Sequence, residues 1–162
     1  MTKHVIALAS ALLLTIGVQA QSLTLTELIS QLEKPFDQTE AFLRPKQFKK
    51  ASTGDFGGIR TVMYSKQAGS VHESIGKSLK DSAKNIAPGI NYMYNKWSFT
   101  ENFLEQMKPL SLKLWRKYSD EEKTTWDYIS PKYEVIICAY NDITKHTSMQ
   151  VTWVDKRKLT TP

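Results

Sequence analysis

The sequence predicts an α+β fold, an antiparallel sheet with a meander in its C-terminal half and helices packed on one face. Three observations predict it. Tyr133 to Tyr140 (Tyr-Glu-Val-Ile-Ile-Cys-Ala-Tyr) is the most continuously apolar run outside the N-terminus, bounded by Pro131 and Asn141-Asp142. It reads as a strand buried on both faces, in the middle of a sheet. Strand-like runs joined by short polar turns follow from Leu112 onward. Elsewhere, capping-box spacings precede apolar residues three and four apart, the signature of amphipathic helices.

Residues 1–20 have the layout of a cleaved secretory signal. Lys3 precedes an apolar run from Val5 to Val18, and Val18-Gln19-Ala20 offers the small residues a signal peptidase accepts. The run is shorter than the roughly 20 residues a spanning helix needs. The expected product is residues 21–162, a single domain outside the cytoplasm, periplasmic or extracellular, with a basic and frayed C-terminal tail. Losing Lys3 with the leader lowers the net charge from +6 to +5. Such a charge suits anionic envelope polymers, an acidic partner protein or lipid headgroups. Cys138 is the only cysteine, so no internal disulfide exists, and its place in the most apolar run reads as a small buried hydrophobe.

Leu25, Leu28, Ile29 and Leu32 make one helical stripe behind a Thr24–Glu27 capping box. Pro35 breaks this helix. Asp37 and Glu40 repeat the box, with Phe36 and Ala41 as a staple, and the second piece runs to Pro45. Arg44, Lys46, Lys49 and Lys50 around Phe48 read as a solvated basic connection, and Thr53 to Gly58 as a turn. Ile59 to Lys66 alternates as a strand. Ser70-x-x-Glu73 with Val71, Ile75, Leu79, Ala83 and Ile86 predicts a helix, closed by Pro88-Gly89. Lys77, Lys80 and Lys84 would then form a basic stripe on its wet side. Ile90 to Trp97 is a further strand. Ser98 and Glu101 cap a helix carrying Phe99, Phe103, Leu104 and Met107. Strands follow over 112–118, 124–129, 133–140 and 149–154. A helix followed by strands thus occurs twice, a hint of two halves, although residue identity between them is thin.

Catalytic signatures are absent. No G-x-S-x-G elbow, phosphate loop, H-E-x-x-H or C-x-x-C occurs. His72, read in a first helical turn, and His146, in a polar loop, stand as surface residues with no metal-ligand spacing. Most acids occupy cap or turn positions. Glu134 is the exception, an acid inside the predicted central strand. No catalytic residue, metal site or cofactor is therefore assigned. Export and the modest charge disfavour a nucleic-acid partner.

The aromatic residues of the strands do not all fall in one phase. Trp115 lies between Lys113 and Lys117, opposite in phase to Leu112 and Leu114. With helices on one face, Trp115, Trp126 and Tyr128 together with Lys113 and Lys117 predict an exposed aromatic and basic surface. The sequence is therefore read as a non-enzymatic exported binding module that engages a protein or envelope polymer. The alternative is a carrier or enzyme with an apolar-ligand pocket between helices and sheet.

Overall fold

A computed structural model describes residues 21–154 apart from 57, 80–86, 141 and 143–145. The expected leader, Lys80, Lys84 and the basic tail lie outside the described residues. Among the described residues the α-helices are α1 (Leu25–Gln31), α2 (Phe36–Leu43) and α3 (Trp97–Met107). The strands are β1 (Lys49–Phe56), β2 (Ile59–Ala68), β3 (Val71–Ser78) and β4 (Gly89–Tyr94), then β5 (Lys113–Ser119), β6 (Lys123–Ile129), β7 (Tyr133–Tyr140) and β8 (Thr147–Trp153). They form one eight-stranded antiparallel sheet in the order β1-β2-β3-β4-β8-β7-β6-β5.

The sheet is two four-stranded meanders joined where β4 pairs with β8. Each meander follows a helix, and the entries match position by position. Arg44-Pro45 and Lys108-Pro109 each open a 3-10 turn after the helix. Gln47 and Ser111 each take the left-handed conformation, at φ 69° and 55°, which lets the chain leave the helix end sharply. Phe48 and Leu112 are each buried next. Each first strand then bulges, between Lys50 and Ser52 in β1 and between Leu114 and Arg116 in β5. The two-halves reading is carried by this turn chemistry. The prolines begin the 3-10 turns rather than stopping the helices.

The helices cover one face. Residues opposite each other in an antiparallel pair share a face, so Tyr64, Ile75, Tyr92, Met149 and Ile137 form one buried row across five strands. Phe99, Phe103 and Met107 of α3 and Leu25 and Leu28 of α1 pack over it. The rings of Tyr92 and Phe103 meet edge to face at 5.7 Å, a favoured aromatic geometry. Tyr94 hydroxyl and Thr100 Oγ1 share a buried hydrogen bond of 3.0 Å.

Several expectations need correction. Residues 71–78 are strand β3, and the helix predicted from Ser70 does not form there. The buried face of β3 reads Val71, Glu73, Ile75, Lys77. Two charged residues on the core face hid the period of two. Lys77 therefore lies on no wet helical stripe: it is fully buried, and its Nζ donates to the carbonyls of Gln31 and, at 3.1 Å, Leu32. These carbonyls are at the C-terminal end of α1, where Gln31 also accepts from Lys34 N at 3.2 Å and Leu32 is the C-cap, and a cation suits them. Residues 49–56, read as connection and turn, are edge strand β1, whose side chains over 49–53 are exposed and carry no apolar alternation. The Thr24–Glu27 box is present. Neither α2 nor α3 has a side-chain cap, because they start at Phe36 and Trp97, before the expected boxes. Strand β7 is interior, but β4 and β8 hold the middle, and its second face is buried at Glu134 and half-buried at Ile136, Cys138 and Tyr140.

Glu73 also lies in the core. Its carboxylate accepts from Tyr92 hydroxyl and, at 2.5 Å, from Ser22 Oγ. Ser22 Oγ in turn accepts from Lys66 Nζ at 2.7 Å. Burial, with the Glu73 carboxylate beside it, pushes the Tyr92 hydroxyl far up from its ordinary range. Tyr92→Phe is expected to cost about 1–2 kcal/mol, because it deletes one bond to a carboxylate and leaves the ring in place. Chemical denaturation of the two proteins measures it.

Candidate binding edge at strand β5

Strand β5 is one outer edge of the sheet. Every side chain in it is exposed except Trp115, which is half-buried. The bulge at Trp115 divides the strand between two surfaces. Leu114 and Lys117 lie opposite Tyr128 and Trp126, on the helix side. Lys113, Arg116 and Tyr118 lie opposite Ile129, Asp127 and Thr125, on the side that no helix among the described residues covers, where Asp127 and Thr125 are nonetheless buried.

On the helix side, α3 stops short of the edge. Trp97, at its first turn, is 53% exposed and Leu114 is 50% exposed. The rings of Trp97 and Trp126 lie 6.4 Å apart, and Lys117 Nζ sits 5.7 Å from the Trp126 ring centre. Trp126 and Tyr128 pack inward against the core with their outer parts open. Burial raises the Tyr128 hydroxyl above its usual range.

On the other side Arg116 is the centre. Its guanidinium lies 4.8 Å from the Trp115 ring centre and 5.4 Å from that of Tyr118. It also approaches the buried carboxylate of Asp127 at 3.7 Å. The stacked rings and the carboxylate hold this cation in place while more than half its surface stays in water. Each exposed cation–ring contact contributes about 0.5–1 kcal/mol.

Of the five residues the sequence singled out, Lys117, Trp126 and Tyr128 come together on the helix side. Trp115 joins the Arg116 cluster, and Lys113 lies on the uncovered face. Trp97, Leu114, Arg116 and Tyr118 were missed. Arg116 and Tyr118 were available in the same run, but the bulge shifts them out of the simple alternation. Trp97 was assigned to the end of the preceding strand.

The uncovered face has small and polar residues at its centre. Thr61, Met63, Gly76, Ser78, Asn91 and Gln150 line a shallow cleft of about 350 Å³. A Cβ on Gly76 would come within 2.9 Å of Met63 Sδ. Methionine is flexible enough to swing aside, so Gly76→Ala is expected to change stability by less than about 1 kcal/mol. Thermal denaturation checks this, and a larger loss would mean that Met63 is locked in place.

A second cleft, about 400 Å³, lies at the end of the helix layer among Leu32, Pro35, Leu79, Pro88 and Trp153. Glu134 is buried and has an interaction partner, and Cys138 is half-buried on the uncovered face. Among the described residues no helix is long and apolar enough to cross a membrane, and no three metal-binding side chains cluster. No protein-family model, curated protein or solved structure matches the chain.

Proposed function

We propose that this chain is an exported, non-enzymatic binding module that engages an acidic, extended segment of a partner protein along β5. The exposed mixture of cations and aromatics on that edge carries the reading. Lysines and bulges on an outer strand also serve to block unwanted pairing. The other edge of the same sheet separates the two roles. Strand β1 has the matching bulge and Lys49 and Lys50, which suffices for protection. Where β1 has Lys50, Ala51 and Gly54, β5 has Leu114, Trp115 and Tyr118. A protective edge has no use for large half-exposed apolar groups, whereas a binding surface does.

A synthetic Asp/Glu-rich peptide is the probe, followed by tryptophan fluorescence. Binding is expected to weaken at least tenfold in the Lys113→Glu, Lys117→Glu double variant and to weaken with added salt. Equal affinity in variant and parent contradicts the assignment. Preference for a soluble anionic polysaccharide over the peptide would move it to an envelope polymer. A second reading, an apolar-ligand carrier, draws on the cleft at Leu32, Pro88 and Trp153. Native mass spectrometry of the protein from its exported fraction tests it: the carrier reading expects a retained small adduct, and a bare chain opposes it.

A further inference from the structure

His72 and His146, far apart in sequence, meet on the uncovered face at the end of the central strands. Glu73 pairs with Tyr94 in β4, and Tyr94 pairs with Thr147 in β8. Just beyond these last pairs come His72, Asn95 and His146, and His72, next to Glu73 in β3, faces away from the helices. The two imidazole rings meet with centres 5.3 Å apart and planes at 79°. Asn95 fixes the base of this arrangement. Its Oδ1 accepts from His72 N at 2.9 Å and its Nδ2 donates to Ser70 O at 2.9 Å.

We infer that this histidine pair is a binding site for a divalent transition metal of the copper or zinc class. Two observations carry it. Metal–imidazole bonds of about 2.0–2.1 Å at a near-tetrahedral angle place two ring centres about 5 Å apart, which is the spacing here. His72 Nδ1 is shielded from solvent and has no hydrogen-bond partner among the described residues. A buried nitrogen of this kind is normally satisfied, and a metal ion satisfies it. Imidazole suits Cu(II), Zn(II) and Ni(II), with Cu(II) bound most tightly.

Two protein ligands leave coordination positions for water or an anion. The adjoining polar cleft, about 510 Å³, is lined by His72 with Gln47, Lys49, Ser65 and Lys66. Its lysines oppose a bare cation and attract an anionic co-ligand, so affinity should rise when one is supplied.

The test is calorimetric titration of Cu(II) and Zn(II) into the untagged full chain after chelator treatment. Electron paramagnetic resonance of the copper form accompanies it. One saturable site with nitrogen ligation is expected. His72→Ala and His146→Ala should each weaken it at least about tenfold, and the double variant should abolish it. His146 is exposed, so His146→Ala is expected to leave melting behaviour unchanged and decides the matter should His72→Ala fail to fold. Unchanged affinity in His146→Ala, or no saturable uptake by the parent chain, overturns the site.

Discussion

Lys77→Ala is expected to lower folding stability by about 3–5 kcal/mol. The substitution empties a fully buried volume between β3 and α1. It also removes the donor from the carbonyls of Gln31 and Leu32. Helix α1 has only seven residues, too few to persist without tertiary contacts. Its last turn should therefore loosen, and amide exchange there should quicken more than in β7. Lys77→Met, which keeps the volume and loses only the donor, is expected to cost about 1–3 kcal/mol.

The same lysine gives a pH signature. Burial lowers its ammonium from the usual range to about 8, while the two carbonyls pull the other way. Below pH 8 the folded state must hold a buried charge, and the cost is fully present. Between pH 8 and the unfolded value near 10.5, the unfolded chain keeps a proton that the folded chain has released. Stability contributed by this group therefore rises with pH across that window. Relative to Lys77→Met, the parent chain should gain on the order of 2 kcal/mol between pH 7 and pH 10. A difference that stays constant with pH would show that the lysine remains charged when buried. Urea denaturation at both pH values, with both proteins, measures it.

Glu73→Ala is the second large effect, also about 3–5 kcal/mol. The carboxylate is buried and joins three segments. It accepts from Tyr92 of β4 and from Ser22 before α1, and Ser22 is held in turn by Lys66 of β2. Removing it leaves the Tyr92 hydroxyl buried without an acceptor and releases the segment ahead of α1. Glu73→Gln keeps an acceptor oxygen and the volume and should cost about 1–2 kcal/mol. Proteolysis near Ser22 should accelerate in Glu73→Ala and stay slow in Glu73→Gln. Equal losses in the two variants would mean that the charge itself, rather than the bonding, holds the junction.

These two charged residues also explain where sequence reading stopped. Strand β7 was plain because its apolar run is continuous, and β5, β6 and β8 because alternation and turn residues agreed. The break at Pro35 and the Thr24–Glu27 box were equally direct. Strand β3 was hidden because Glu73 and Lys77 occupy core positions that the alternation rule reserves for apolar residues. Their partners, Ser22, Tyr92 and the end of α1, are distant in sequence. Strand β1 was hidden for the opposite reason: an edge strand with exposed side chains has little pattern to read. The strongest sign of two halves lay in Arg44-Pro45 with Phe48-Lys49 and Lys108-Pro109 with Leu112-Lys113, rather than in the helical phenylalanines. At the candidate site, composition pointed to the β5–β6 region, but one bulge decided which residues share a surface. The meeting of His72 with His146 depends on strand order, which spacing along the chain does not reveal.

The most direct measurement of the binding account is site-specific photo-crosslinking in the producing cell. A photoreactive side chain replaces Leu114 in one protein and Asn91, on the uncovered face, in another. The account predicts a discrete adduct from position 114 with a partner carrying an acidic segment, lost when Lys113 and Lys117 are reversed to glutamate. Adducts from position 91 alone, or from both positions regardless of the lysines, would place the working surface away from β5 and contradict it.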